Sequence, residues 1–491
     1  MHKADAFTIL AQKISSVDLM ERAAKAFVKV FKKRYADFEL RISILCGPGN
    51  NGGDGLAIAC LLHKIGYKNI TVYLIKFGTS ESLDYQENLS RLKKTGIKSI
   101  VVSEPEQFEN KDSNVLIDAI LGSGLNKPFT GKYADLAEKV NTLATHVVSV
   151  DVPTGFPGEG VIDKNYKGVK ADLVICFQRP KINFFFPESV MALDQFVVVD
   201  IGLEEEYIEN ASSDWKLIAK PTLLPRKNFT HKGTYGHALI VAGTTTTMGA
   251  ALLAAQACFH VGAGLTTLCI PSSGFVALNT LLPEVMTLPR SEQLSIEGLE
   301  KFTSVAIGPG LGMEEDDENI LVKLMELKKP MVIDADALNM LARKKGLLEK
   351  LPEQSILTPH MKEFDRLFGE HQTWWERVET AKKQALERKI VLVLKNQYSF
   401  VCLPTGEVYI NQTGNAAMAS GGMGDVLTGI IVGYLAQSYS SADAAKLAVY
   451  VHGKAGDELA KKRFTVRATA VAKRIPKVIK KLSEIPMRPK L

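Results

Sequence analysis

The 491-residue sequence is poor in most of the features that would place it outside ordinary folded enzymes. Its six cysteines, at 46, 60, 176, 258, 269 and 402, form no CxxC pair and no metal-ligand spacing with histidine. That pattern excludes a disulfide scaffold and a zinc ribbon, and fits buried reduced thiols in a cytoplasmic protein. No apolar core follows Met1-His2-Lys3-Ala4-Asp5, so the start does not read as a signal peptide. Residues 233–283 lack any charged side chain, yet Gly, Thr, Ser and Pro interrupt them. Their apolar runs stop short of the ~20 residues a membrane span needs, so buried strands and helices are expected. Charge of one sign is also missing from most of the chain. Of the net +6, residues 461–491 carry eleven Lys/Arg against Glu484 alone, which leaves everything before them at −4. A mildly acidic bulk argues against nucleic acid as the partner. The basic tail has helical spacing (Val466, Ala470, Ile475, Ile479, Leu482) and reads as a solvated helix face.

What is present is a 46% hydrophobic, 23% charged chain long enough for two or three domains. Short β-branched runs alternate with helical patterns. In the first half the runs are 42–46, 70–75, 115–117, 147–150, 173–176 and 196–199, preceded by a helical pattern over 16–31. After Gly202 the chain turns polar and proline-punctuated. A second series follows at 237–241, 265–270, 305–307, 331–333, 356–357, 390–394 and 400–402. Near-continuous apolar strands separated by helices predict parallel sheets covered on both faces. We expect a domain over 1–210, a linker over 211–224 and a second, different α/β domain over 225–491.

Two glycine-rich loops stand out, each after an apolar run and before a helical pattern: Cys46-Gly47-Pro48-Gly49-Asn50-Asn51-Gly52-Gly53-Asp54-Gly55 and Ala419-Ser420-Gly421-Gly422-Met423-Gly424-Asp425. Glycine lets backbone N–H groups approach an anion that a Cβ would hold off, and a helix start adds further donors. The first loop is neither a GxGxxG fingerprint nor a P-loop. Around the first, Asp118 and Asp151 end strands and precede Gly122-Ser123-Gly124-Leu125 and Pro153-Thr154-Gly155. Ligands bind beyond the carboxyl ends of parallel strands, so Asn50, Asn51, Asp54, Asp118, Asp151 and Thr154 are expected at one crevice. There they suit a hard cation or acid/base chemistry, unless the two aspartates only cap helices. Lys76, after another strand end, is a further candidate or a surface lysine. In the second loop, Asp425 in a helix's first turn can take a proton from a hydroxyl attacking a phosphoryl group.

The CGPGNNGGDG loop, Leu116-Ile117-Asp118-Ala119-Ile120-Leu121-Gly122-Ser123-Gly124-Leu125 and Asp151-Val152-Pro153-Thr154-Gly155 resemble the NAD(P)H-hydrate epimerases over roughly residues 5–203. The resemblance implies a Rossmann-like domain that interconverts R and S hydrates of NADH and NADPH beside a potassium ion. By motif the ion falls to Asn51, Asp118 and Thr154, and the hydrate to Asn50, Asn51, Gly52, Gly53 and Asp54, to Gly122, Ser123, Gly124, Leu125, Asn126, Lys127 and Pro128, and to Asp151. Asp118 and Asp151 are its candidate catalytic pair. Thr154 stands where the family has serine, and Ala24 where it has glycine.

His231-Lys232-Gly233-Thr234-Tyr235-Gly236, Gly308-Pro309-Gly310-Leu311-Gly312, Asp334-Ala335-Asp336-Ala337-Leu338-Asn339 and the Thr413–Asp425 block resemble ADP-dependent NAD(P)H-hydrate dehydratases of the ribokinase-like superfamily, over about 225–483. That resemblance implies phosphorylation of the hydrate's hydroxyl by ADP with magnesium, then loss of phosphate. The implied hydrate contacts are Ala250, Gly310, His360 and Asp425, with Asp425 catalytic. Lys395, Asn396, Gln397, Tyr398, Ser399 and Gly424 would hold the nucleotide. After His360 the chain reads Met361-Lys362-Glu363 where the family has Pro-Gly-Glu, so Lys362 either meets a phosphate or faces solvent. The expectation is a bifunctional cytoplasmic homo-oligomer acting on NADHX, NADPHX and ADP, with neither nucleic acid nor membrane as partner.

Overall fold

The computed structural model describes residues 2–78, 80–110, 112–124, 129–290 and 296–483. The chain forms two compact units that divide at Ser212 and Ser213. The first is built on a seven-stranded parallel sheet: β1 (Arg41–Cys46), β2 (Asn69–Ile75), β3 (Lys98–Val102), β4 (Val115–Ala119), β5 (His146–Val150), β6 (Leu173–Phe177) and β7 (Phe196–Val199). Its order is β3-β2-β1-β4-β5-β6-β7, so the winding direction reverses between β1 and β4. At such a switch point the loops leaving adjacent strands part and open a crevice. The central strands are buried almost throughout, as their apolar runs require. Edge strand β3 is mostly exposed, which is why its sequence carries no clear strand signal.

Helix Ser16–Arg34 covers one face. Ser15 and Asp18 form a reciprocal capping box at its start, and Lys32, Lys33 and Arg34 sit in its last turn, where the helix dipole favours cations. Leu19, Ala23, Phe27 and Phe31 form its buried stripe, packed with Ile42, Ile44 and Tyr67.

The second unit holds β8 (Trp215–Leu217), β9 (His237–Val241), β10 (Leu265–Ile270), β11 (Met286–Pro289), β12 (Ser304–Ile307), β13 (Met331–Ile333), β14 (Ile356–Leu357), β15 (Val391–Leu394), β16 (Phe400–Cys402) and β17 (Val408–Ile410). They form one sheet in the order β11-β10-β9-β12-β13-β14-β15-β16-β17-β8. The sheet is mixed, not wholly parallel: β15, β16 and β17 pair antiparallel, because five-residue connections can join neighbours only as hairpins. Strand β8 pairs with β17, so part of the segment expected as linker 211–224 belongs to this sheet. The charge-free stretch becomes β9, helix Met248–Val261 and β10. No helix among the described residues is long and apolar enough to cross a membrane. The basic tail folds as helix Ala468–Ser483, which buries Val471, Ala472, Ile475, Val478 and Leu482 and turns its charges outward.

The first glycine loop is held by backbone contact. A Cβ on Gly52 would lie 1.7 Å from the Gly47 carbonyl oxygen, whereas one on Gly49 meets nothing within 4 Å. Gly52→Ala is therefore expected to cost about 3 kcal/mol or more, through the forced backbone shift. Gly49→Ala should stay within about 0.5 kcal/mol, both read from denaturant unfolding of the full chain.

Candidate functional sites

In the first unit the turn after β1 leads directly into helix Asn50–Lys64. Gly49 is its N-cap and supplies no side-chain acceptor, which leaves the helix's first N–H groups for a ligand. These groups face a cleft of about 520 Å³ at the carboxyl ends of β1, β4, β5 and β6. Asn50, Asn51 and Asp54 line it, with Gly122, Ser123, Gly124 and Asp151. Gly52 and Gly53 do not. Gly52 backs onto Gly47, and Gly53 onto Met20 and Tyr85, so both shape the turn from behind. Leu125, Asn126, Lys127 and Pro128 fall outside the described residues.

Asp118 is not at the cleft surface, where it was expected beside Asp151. It is wholly buried, and its carboxylate is already occupied. Oδ2 accepts from Ser149 Oγ and the Thr154 N–H, both at 2.8 Å. Oδ1 accepts from Thr154 Oγ at 2.7 Å and the Ile120 N–H at 3.3 Å. Burial raises its pKa, while the bonds from Thr154, Ser149 and Ile120 pull the other way. Asp118 thus caps no helix. It ties the ends of β4 and β5 together.

Asp151 does reach the cleft, from a backbone at φ +64 that few residues other than glycine adopt. Its Oδ1 accepts from Lys181 Nζ at 2.8 Å and from the Phe177 N–H at 3.1 Å. Lys181 was not anticipated from the sequence. It lies just past β6, lines the cleft, and is largely buried with its partner. Burial works against its ammonium form, but Asp151 more than offsets this and holds its pKa above the ordinary lysine value. Asp54 is the opposite case. Burial pushes its carboxyl well above the usual range, and Asp151, Asp84 and Asp5 add to the effect. One wall therefore presents a buried carboxyl group whose proton is held more tightly than usual, and another a carboxylate paired with Lys181. Lys76 pairs with Glu81 at 3.0 Å and takes no part in the cleft.

In the second unit, Gly422 is the N-cap of helix Met423–Ala436 at φ +87 and again supplies no capping side chain. Asp425 follows in the first turn. Burial raises its pKa to about 6; Asp334 and Asp336 add to this and Lys395 opposes it. Lys395 Nζ donates to Asp334 Oδ1 at 2.7 Å, and Thr428 Oγ1 to Asp334 Oδ2 at 2.7 Å. Asp334 itself is nearly inaccessible. Glu363, 3.9 Å from Lys395, accepts the His360 N–H at 2.8 Å, while His360 Nδ1 accepts from the N–H groups of Lys362 and Glu363. His360 and Glu363 therefore form a capping box on helix Met361–Phe368, and Lys362 faces solvent. Burial raises the Glu363 pKa and lowers that of His360.

Lys395, Asn396, Gln397, Ser399 and Gly424 line a cavity of about 450 Å³; Tyr398 does not. Ala250, Gly310, His360 and Asp425 border none of it. Gly310 and Ala250 share a neighbour, Thr247: its hydroxyl donates to the Gly310 carbonyl at 2.7 Å, and its own carbonyl accepts from the Ala250 N–H. Asp334, Glu363 and Thr428, unassigned in the sequence reading, complete the corner around Lys395.

Thr154 can be tested directly. Thr154→Ser keeps the hydroxyl and is expected to cost no more than about 1 kcal/mol. Thr154→Ala leaves Asp118 one donor short in a fully desolvated place and should cost about 1.5–3 kcal/mol in denaturant unfolding.

Comparison with known proteins identifies the family. A family model described as NAD(P)H-hydrate dehydratase matches residues 238–477, and one described as YjeF-related protein N-terminus matches residues 16–183. The bifunctional NAD(P)H-hydrate repair enzyme of Thermofilum pendens is 33% identical over 469 residues, covering 90% of this chain and 88% of that protein. The Escherichia coli enzyme of the same description is 32% identical, covering 92% and 86%. Among solved structures, a ribokinase-like superfamily protein from Enterococcus faecalis superposes with a TM-score of 0.51 at 27% identity, over 56% of this chain and 99% of that one.

Proposed function

The chain belongs to the family of bifunctional NAD(P)H-hydrate repair enzymes, and we propose that its two units carry out successive halves of one repair. The first interconverts the R and S hydrates of NADH and NADPH. The second uses ADP to dehydrate the S form, with AMP and phosphate as the other products. The observation that carries the reading is Asp425: a carboxyl with a pKa of about 6, in the first turn of an uncapped helix, beside the Lys395 corner. At neutral pH it is ionised and can accept the proton of the hydrate's C6 hydroxyl as that oxygen attacks the terminal phosphoryl group of ADP. The O–P bond forms, AMP departs, and a poor leaving group becomes a phosphate ester. Loss of the C5 proton with departure of phosphate restores the dihydronicotinamide double bond. The first-turn N–H groups and Lys395 meet the negative charge that builds on the transferring group.

In the first unit, breaking the C6–O bond lets the ring nitrogen's lone pair form an iminium ion, which has lost the configuration at C6. Asp54, whose carboxyl burial pushes well up, is suited to protonate the departing hydroxyl. Ion-paired Asp151, with Lys181, is suited to take the proton from water that re-adds at the other face. Potassium would be held by Asn51, Asp118 and Thr154. The donors fit a hard cation: Asp118, the Thr154 hydroxyl, and the Asn51 amide, whose buried nitrogen lacks any partner and whose oxygen takes the same place when the amide is turned. Its charge would favour an ionised Asp118. Magnesium would accompany the nucleotide phosphates, with Asp334, Asp336 and Glu363 as nearby carboxylates. Six unpaired cysteines fit a reducing compartment, and we place the enzyme in the cytoplasm.

Asp425→Asn is expected to slow ADP-dependent NADH recovery from S-NADHX by roughly 10²–10⁴-fold while R/S interconversion continues. Asp151→Asn should do the reverse. Stable accumulation of a phosphorylated hydrate by the unmodified chain would contradict the dehydratase reading. Because Asp425 must be ionised to act, kcat/KM for dehydration should be flat above about pH 6 and fall tenfold per unit below it. A profile flat down to pH 4.5 would remove Asp425 as the base.

A further inference from the structure

The repair chemistry accounts for the reacting ring and the nucleotide, but not for the phosphates of the hydrated dinucleotide itself. A second feature lies against the catalytic loop of the second unit. The Val466 N–H donates to the Ala417 carbonyl at 2.8 Å, and Ser420 Oγ donates to the Val466 carbonyl at 3.0 Å. The basic segment is thereby pinned to the loop that carries Asp425. A methyl placed on Gly422 would lie 3.0 Å from Ala468 Cβ and 4.0 Å from Asp425 Oδ2, so Ala468 and the reacting carboxylate border one small space. Arg467 is the next residue.

Beyond it runs a surface groove of about 490 Å³ lined by Arg463, Thr465, Arg467, Thr469, Ala470 and Lys473. Three cations and two hydroxyls face it, and no carboxylate does. Arg463, Arg467 and Lys473 are exposed and make no ion pair among the described residues. Their neighbour Arg474, by contrast, lies 3.7 Å from Glu458. A solvated helix face at neutral balance interleaves acids with its cations. Here Glu458, the acid facing Arg474, is also taken by Lys481.

Resting on the repair reading above, we infer that this groove is the phosphate subsite for the hydrated dinucleotide. It receives the pyrophosphate, and in the NADPH hydrate the ribose phosphate as well, while the ring sits at Asp425. Arginine's planar fork suits phosphate oxygens, and the two threonines add neutral donors. The site favours the hydrate with the extra phosphate and leaves the chemical step untouched. ADP, held at the Lys395–Ser399 side, does not use it.

The test is steady-state dehydration of S-NADPHX and S-NADHX by the full chain and by Arg467→Ala, Arg463→Ala/Arg467→Ala and Arg467→Lys variants. All of these positions are exposed. In the double variant the KM for S-NADPHX should rise roughly tenfold and that for S-NADHX by about threefold, since each charged contact removed from an exposed site weakens binding modestly. The kcat and the KM for ADP should not change. Arg467→Lys should recover most of the loss, and added salt should shrink the difference between variant and parent. Unchanged KM for both hydrates, an equal rise for both, or a rise confined to ADP would overturn the subsite. A parent chain that dehydrates neither hydrate would instead overturn the reading on which it rests.

Discussion

Each unit depends on one aspartate that ends a central strand with no water to solvate it. A desolvated carboxylate costs several kcal/mol unless donors inside the protein replace its hydration. Asp118 finds four such bonds, from Ser149, Thr154 and Ile120, and in doing so locks the loops after β4 and β5. Asp334 finds Lys395 and Thr428, and fixes the lysine beside the helix that carries Asp425. In both units the buried aspartate holds the surrounding loops and side chains in register.

The carboxyl groups proposed to react differ from these by being less fully satisfied. Burial and like-charged neighbours push the Asp54 carboxyl well up; Asp151 accepts from Lys181 and from a backbone N–H. Asp425, half-buried and opposed by Asp334 and Asp336, titrates near 6, just below neutrality, where a base is both ionised and still able to accept a proton. The two glycine loops look alike because both solve one problem, bringing uncapped helix N–H groups to an anion. What surrounds them sets the task. Four aspartates (Asp5, Asp54, Asp84 and Asp151) and one buried lysine line the first, whereas Lys395 and its carboxylate partners flank the second.

Much of this was legible in the sequence. Apolar runs such as 42–46 and 237–241 are buried central strands, and their near-continuous hydrophobicity announces them. The glycine loops placed Asn50, Asp54, Asp151 and Asp425 correctly at strand ends and helix starts. Edge positions were not legible: Lys98–Val102 and Trp215–Leu217 are short, half-exposed and polar at alternate sites, so they carry no buried-strand pattern. Nor does a sequence say which side of a strand end a carboxylate faces. Asp118 was expected in the crevice and turns instead towards Thr154. Lys181 escaped notice because its partner is thirty residues away and meets it only through the pairing of β5 with β6.

The central claim is that one chain carries two separate catalytic sites whose products feed each other. Complementation measures this most directly. Asp151→Asn and Asp425→Asn chains are each incubated with an equal mixture of R- and S-NADHX, ADP, magnesium and potassium, then combined, and NADH absorbance is followed. The account predicts rapid recovery of only the S half by the first variant, little by the second, and complete recovery by the two together. Complete rapid recovery by Asp151→Asn alone, or no gain on mixing, would contradict it.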